Sequence, residues 1–355
     1  MQDTYVIIMA GGIGTRFWPF SRTDFPKQFH DVLGTGRTLL QQTVDRFEGV
    51  CPIENVYIVT SQEYKDLIKG QIPELADHQI LLEPNRRNTA PCIAYACYKI
   101  AARSSNANVV VAPADHIILN EEEFKNTIKL SLEATRKEDI LVTLGIQPTR
   151  PDTGYGYIQY VPDEQAVKKV KSFTEKPHFE LALQFLDSGD FVWNAGIFIW
   201  NVNAFKKALT RFIPDIAEIF ESGDEHYYLD SEASFIQQVY QHCGSVSIDN
   251  GIMERAENVK VVLASFGWSD LGTWKSMYEI SEKDDNLNVT DGTLILHNTT
   301  NSIIKTPSDK LVVINGLDGF IVAEFDGVLL ICKKDDEQKV KEFVAQAKAL
   351  DPKYI

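Results

Sequence analysis

"MAGGIGTRFWPFSRTDFPKQF", residues 9–29, is the most chemically loaded stretch of the chain. It follows an apolar run, Tyr5 to Met9, so it reads as a loop leaving the end of a buried strand. Its glycines suggest a phosphate loop, but of neither familiar type. The dinucleotide fingerprint GxGxxG needs a third glycine where Phe17 stands, and GxxxxGK[ST] is broken by Arg16 and Phe17 after "GGIGT". After Ala10, the successive N–H groups of Gly11, Gly12, Gly14 and Thr15 can form a concave anion nest, which glycine permits at positive φ. Arg16 adds a planar fork that grips a phosphate at two points. Lys27, beyond a turn set by Pro26, can return a point charge to the same place. A plain turn between strand and helix with two surface cations is the competing reading.

Outward from this loop, "YVIIMA" (5–10), "NVYIVT" (55–60), "QILLEP" (79–84), "NVVVAPADH" (108–116) and "ILVTLGI" (140–146) read as buried strands rich in Val and Ile. Helical patterns separate them. Thr38 can cap a helix carrying Leu40, Val44 and Phe47 on one face. "TAPCIAYACYKIAA" (89–102) carries Pro91 near its start, where proline is tolerated, and "EEEFKNTIKLSLEATRK" places acids in its first turn and cations in its last. The alternation predicts βαβ units and a parallel sheet. After about residue 150 the strands "GYGYIQY", "VKSFTEKP", "GIFIWN" and "VKVVLASFGWSD" are spaced more widely. The predicted class is α/β, a Rossmann-like mixed, mainly parallel sheet flanked by helices. Apolar runs then begin near 293, 301, 311, 320 and 328, which predicts a small all-β coil closed by the charged helix "DDEQKVKEFVAQAKAL". The polar "SEKDDNLN" marks the boundary, with domains expected at 1–284 and 285–355.

Composition narrows the function. The 35 Lys plus Arg against 50 Asp plus Glu leave a net charge of −15, which argues against a nucleic-acid partner. An anionic substrate must then be held by local cations or a metal; residues 16–37 supply four cations (Arg16, Arg22, Lys27, Arg37) against Asp24 and Asp31. No run reaches the roughly 18 apolar residues of a membrane span, so no membrane association is expected. The first residues lack a basic segment, so no secretory signal is expected. The 5 cysteines contain no CxxC pair and read as reduced, buried thiols of a cytoplasmic protein.

Further residues can carry chemistry. Asp115 in "VVVAPADH" falls just past the carboxyl end of a strand, where open α/β sheets put ligands, and can serve Mg²⁺ together with phosphate oxygens or simply cap its turn. His116 reads as a structural neighbour. Asp270 in "FGWSDLGTW" sits after another apolar strand, and the two aspartates can clamp a metal between phosphates. Glu175 in "SFTEKP" can accept from vicinal hydroxyls, Lys176 can meet a phosphate, and Asn194 in "WNAGIFIW" can donate and accept. Gly154 and Gly156 in "TGYGYI" allow close approach to the backbone, whereas Trp193 and Trp200 read as core. In "LEPNRRNTAPC", Glu83 can accept from a purine N–H, and Asn88 and Thr89 either line a base site or cap the following helix.

Taken together, "MAGGIGTRFWPFSRTDFPKQF", "EPNRRNTAPCIA", "PADH", "FTEKP", "WNAGIFIW" and "FGWSDLGTW", in this order over residues 5 to about 275, resemble the sugar-1-phosphate nucleotidyltransferases. "WPFSR" and "RNTAP" point to the branch that guanylylates mannose 1-phosphate, and the tail resembles that family's left-handed β-helix-like domain. The resemblance implies GTP plus mannose 1-phosphate giving GDP-mannose plus pyrophosphate, with Mg²⁺; the exposed β coil of the tail is a reasonable dimer surface, so a homodimer is expected. The resemblance also implies Arg16 on the leaving phosphates, Lys27 on the α-phosphate, and Asp115 and Asp270 on the metal. Gly156, Glu175, Lys176 and Asn194 would serve the sugar phosphate, and Glu83, Asn88 and Thr89 would lie near guanine.

Two features set this chain apart. "SIDNGIMERAENV" (247–259) has Asn250 and Gly251 where this branch carries a tyrosine-containing form, which leaves another sugar 1-phosphate, such as a heptose, as the rival acceptor. No isomerase domain of the longer bifunctional relatives is expected. A catalytically silent sensing subunit is countered by the intact Arg16, Lys27, Asp115 and Asp270, and "PADH" lacks the DxD motif of a retaining glycosyltransferase.

Overall fold

Nine strands form one sheet among the residues that the computed structural model describes, 3–355. In chain order they are β1 (Thr4–Met9), β2 (Val56–Ser61), β3 (Ile80–Glu83), β4 (Asn108–Pro113), β5 (Leu141–Ile146), β6 (Tyr157–Tyr160), β7 (Val167–Thr174), β8 (Phe191–Asn201) and β9 (Val259–Ala264). Their order across the sheet is β3-β2-β1-β4-β8-β5-β9-β7-β6, with β6 also pairing with β8. The first four run parallel, as the alternation of strands and helices predicts. The sheet is mixed because β8 enters antiparallel between β4 and β5 and β7 runs antiparallel to β9.

Local chemistry explains the boundaries. β4 stops at Pro113, which cannot donate to a ladder, so Asp115 lies just beyond the strand. Helix α1 (Thr89–Arg103) starts at Asn88, whose side chain accepts from the Thr89 N–H. Helix α2 (Glu121–Lys137) is capped by Asn120 and spans the predicted charge-polarised segment in full. The core under the sheet brings Ile7, Val59, Val109 and Val111 against the alanine-rich face of α1. All five cysteines are buried and unpaired, as expected. Among the described residues no helix is long and apolar enough to cross a membrane.

The chain divides into two compact units. One comprises Met1–Gly11, Gln41–Ala114 and Ile118–Trp268 and carries the large sheet. The other comprises Gly12–Leu40, Asp115–Ile117 and Ser269–Ile355. Its β strands are β10 (Val289–Asp291), β11 (Thr293–His297), β12 (Ile303–Lys305), β13 (Leu311–Asn315), β14 (Phe320–Phe325) and β15 (Val328–Lys333). They coil so that Val289, Ile303 and Ile321 stack in parallel register, and β11 pairs with β13 in the same way. This is the β coil anticipated from the evenly spaced apolar runs. The closing helix covers Val340–Leu350, and the acidic segment before it, Lys334–Lys339, is a 3₁₀ turn.

Candidate functional site

Within the second unit, the loop after Met9 is shaped by one glycine. Gly14 takes φ 68° at the start of the 3₁₀ turn Thr15–Phe17, and a Cβ there would come within 3.1 Å of Lys27 Cβ. Gly11 and Gly12 keep ordinary negative-φ backbone, so the nest expected at positive φ turns on Gly14 alone. Gln28 Nε2 donates to the Gly12 carbonyl at 3.0 Å and braces the loop. Gly12, Gly14 and Thr15 are exposed and Arg16 is half-buried.

Lys27 is not the surface cation of the competing reading. It is 3 % exposed and its three donors are spent on Asp115 Oδ2 at 2.9 Å, the Asp270 carbonyl at 3.0 Å and the Leu271 carbonyl at 2.8 Å. One lysine thus ties the side chain of Asp115 to the backbone of Asp270. Burial pushes the Asp115 carboxyl up, but Lys27 and His116 outweigh it, so its pKa lies below the ordinary value. Asp270 Oδ1 accepts from the Gly272 N–H at 2.9 Å, and a Cβ on Gly272 would sit 2.4 Å from Asp270 Oδ2. The bare glycine leaves room for that carboxylate beside the turn. The Asp115 carboxylate lies beside the ammonium, and Asp270 joins them through its backbone carbonyl; aspartate oxygens of this kind suit a hard divalent cation whose other ligands are phosphate oxygens and water. Among the described residues no cluster of three or more His, Cys, Asp and Glu could hold a metal by itself.

The local cation count also changes. Arg22 is 4 % exposed and its guanidinium donates to Asp326 Oδ2 (2.9 Å), the Phe325 carbonyl (2.8 Å) and the Asp326 carbonyl (3.0 Å). Trp18 Nε1 donates to the Tyr354 carbonyl at 2.7 Å, and Phe17 stacks on Trp274 at 4.9 Å. "WPFSR" therefore serves partly to anchor the loop on the β coil and its tail.

The first unit holds the other candidates. Ala10 is fixed by β2, its N–H donating to the Val59 carbonyl and its carbonyl accepting from Thr60 Oγ1. Glu83, at the end of β3, is buried against Gly11, whose added Cβ would lie 3.4 Å from Glu83 Oε2. Tyr240, which the sequence did not flag, donates to Glu83 Oε1 at 2.9 Å. Burial lifts the Glu83 carboxyl to about 7.

Asn88 and Thr89 lie elsewhere, in a cavity of about 430 Å³ with Glu175, Lys176, Asp249 and Asn250. The structure thus joins the residues assigned to the base with those assigned to the sugar. Asn88 at φ 68°, Lys176 at φ 47° and, in the second unit, Leu271 at φ 47° are non-glycine residues in the left-handed region. Such strain costs roughly 1–2 kcal/mol per residue and collects where geometry is prescribed. Gly156 makes room for a side chain of the protein itself, since a Cβ there would lie 2.6 Å from Glu175 Oε2. Glu175 Oε1 pairs with Lys176 Nζ at 2.6 Å.

Asn194 sits at a β-bulge between β5 and β8. Its Oδ1 accepts from Thr143 Oγ1 at 2.9 Å and from the Gly196 N–H at 3.1 Å. Its Nδ2 donates to Asp249 Oδ1 at 2.9 Å. Asn194 was expected to donate and accept; its acceptor side is already used by the protein. Asp249 opens a π-helical turn, Asp249–Met253, a feature frequent at functional sites and invisible in residue spacing.

A model of the nucleotidyl transferase family matches residues 5–286. The chain belongs to the nucleotidyl transferase family. A second model, of the MannoseP isomerase/GMP-like beta-helix domain, matches residues 292–347. This nucleotidyl transferase is 35% identical over 346 residues to the alginate biosynthesis protein AlgA of Pseudomonas putida, covering 95% of this chain and 70% of that one. It is 33% identical over 350 residues to a mannose-1-phosphate guanylyltransferase of Escherichia coli, covering 95% of this chain and 74% of that one. A solved structure described as a mannose-1-phosphate geranyltransferase from Thermus thermophilus superposes with a TM-score of 0.89 at 31% identity, covering 98% of this chain and 100% of that one. Nucleotidyl transferases of this family act on a nucleoside triphosphate and a sugar phosphate and typically use a divalent metal.

Proposed function

We propose that the chain transfers GMP from GTP to mannose 1-phosphate, giving GDP-mannose and pyrophosphate. The observation that carries the chemistry is the buried Lys27 bonded at once to Asp115 and to the backbone at Asp270 and Leu271. The acceptor is taken from the relatives named for mannose 1-phosphate.

A sugar phosphate oxygen attacks the α-phosphorus of GTP, a new P–O bond forms, and the bond from that phosphorus to the bridging oxygen of pyrophosphate breaks. The nucleophile is already anionic at neutral pH, so no general base is needed. The barrier lies in bringing two polyanions together and aligning the attacking and leaving oxygens. Gly11, Gly12, Gly14 and Thr15 present backbone donors to the triphosphate, Ala10, whose own N–H is held by Val59, sets where that loop begins, and Arg16 neutralises the leaving phosphates. Lys27 offsets charge growing at the α-phosphate, exchanging its bond to Asp115 for one to a phosphate oxygen. Asp115 and Asp270 would hold Mg²⁺, which supplies charge neutralisation between the two phosphates when bound. Glu175, Lys176 and Asn194 hold the sugar phosphate, with Gly156 leaving space for the Glu175 carboxylate. Glu83, Asn88 and Thr89 remain candidates for the base.

The proposal extends to a cytoplasmic homodimer with a catalytic domain over 1–284 and a β-helix-like domain over 285–355. Pyrophosphate release measured for four nucleoside triphosphates against several sugar 1-phosphates tests the function. The highest kcat/KM is expected for GTP with mannose 1-phosphate. A preference for another acceptor, such as a heptose 1-phosphate, reassigns the sugar, and no release with any pair removes the enzymatic reading.

A further inference from the structure

We infer that Asp249, aimed by Asn194, reads one ring hydroxyl of the sugar phosphate and so helps set which sugar is accepted; this rests on the function proposed above. The cavity of about 430 Å³ is within the roughly 300–1,000 Å³ of small-ligand sites. Its hydrogen-bonding capacity is uneven. Asn194 Oδ1 is saturated by Thr143 and Gly196, leaving Asn194 only a second N–H to offer. Glu175 is engaged by Lys176 through one oxygen, and its other oxygen is packed at Gly156. A carboxylate has about four lone-pair sites. Among the described residues, the only side-chain donor placed on Asp249 is Asn194 Nδ2, so Asp249 retains capacity to accept from a hydroxyl.

Asp249 is also held still, as recognition requires. The Ile248 N–H donates to Thr89 Oγ1 at 2.8 Å, and the Ala90 N–H donates to the Val246 carbonyl at 3.0 Å, so the start of α1 grips the segment before it. On the other side of the turn, Glu254 Oε1 accepts the Glu175 N–H at 2.9 Å and Glu254 Oε2 accepts from Asn250 Nδ2 at 3.1 Å. Among the described residues, the charged groups lining the cavity are Asp249 and Glu175 with Lys176. That distribution sorts the ligand. A phosphate is favoured at Lys176 and repelled at Asp249, so the group at Asp249 is a neutral donor, a hydroxyl. Burial, then the charge of Glu175, lift the Asp249 carboxyl to about 7.

The test uses the full chain with GTP, mannose 1-phosphate and its four monodeoxy analogues, reading pyrophosphate release for wild type, Asp249→Ala and the similarly sized, apolar Asp249→Leu. A site built to hydrogen-bond a hydroxyl rejects the analogue lacking it by up to about 10⁴-fold. We expect wild type to penalise one analogue strongly and Asp249→Ala to shrink that penalty at least about tenfold, for that analogue alone, with the KM for GTP within about twofold. Asp249→Leu, which keeps the bulk and has no polar atom, should give the same selective relaxation even if the alanine variant is unstable. Unchanged discrimination ratios in a folded Asp249→Leu overturn the inference. No release by wild type from GTP and mannose 1-phosphate overturns the proposed function instead.

Discussion

Lys27 Nζ lies 2.9 Å from Asp115 Oδ2, and the same ammonium holds the carbonyls of Asp270 and Leu271, more than 240 residues along the chain. Removing Lys27 therefore does two things. Lys27→Met is expected to lower kcat by at least about 10²-fold, the scale of losing one preorganised electrostatic donor. It should also cost about 1–3 kcal/mol of stability, because two carbonyls lose their donor. Asp115→Asn should lower kcat comparably with a smaller shift in the urea midpoint. Near-normal turnover in both would refute the assignment.

Asp270→Asn keeps the bond from the Gly272 N–H but removes the charge. The Mg²⁺ concentration for half-maximal pyrophosphate release should rise at least about tenfold. Chelation should abolish release in wild type. An unchanged metal titration would make Asp270 a turn residue only.

Asp249 gives a pH dependence of definite sign. Folding lifts its carboxyl from 3.8 to about 7. Between those values the folded state holds a proton that the unfolded chain has lost, so its contribution to stability falls as pH rises through that window. Asp249→Asn removes this contribution. Glu83, also lifted to about 7 by burial, acts in the same direction but is common to both proteins. The urea midpoint of wild type should therefore drop more between about pH 5 and about pH 8 than that of Asp249→Asn. If the ionised form accepts a sugar hydroxyl, kcat/KM for the sugar phosphate should also gain a rise near neutral pH that the variant lacks.

Gly156→Ala tests the sugar side without touching charge. Its Cβ would come 2.6 Å from Glu175 Oε2, a distance that forces the carboxylate aside. The KM for mannose 1-phosphate should rise by about tenfold or more while the KM for GTP stays within about twofold. Equal changes in both would mean the cavity is not a sugar site.

Arg22 tests the anchoring of the loop. Arg22→Ala leaves the Phe325 and Asp326 carbonyls without their donor, an expected loss of about 1–3 kcal/mol in urea unfolding, with kcat falling as the phosphate loop loosens. Arg22→Lys should recover only part, because a point charge cannot reproduce the planar fork.

The sequence by itself determined what depends on neighbours along the chain. The apolar runs marked β1 to β5, the polarised charges marked α2, and evenly spaced apolar runs marked the β coil. The glycine loop with Arg16 and Lys27, and the ordered motifs after it, marked phosphate chemistry because residue type and short spacing suffice for that. Only the tertiary structure decided how each group's bonding capacity is spent. Lys27, expected as a charge for a phosphate, is already bonded as a brace to Asp115 and two carbonyls; Arg22 looked like local positive charge and belongs to an anchor on Phe325 and Asp326. Asn194 looked able to accept and is saturated, while Asp249, unassigned in the sequence, gained a role because Asn194, 55 residues away, turns its remaining donor toward it. A side chain's donors and acceptors are countable from its type, but which remain for a ligand depends on partners that only the folded chain brings within 3 Å or so.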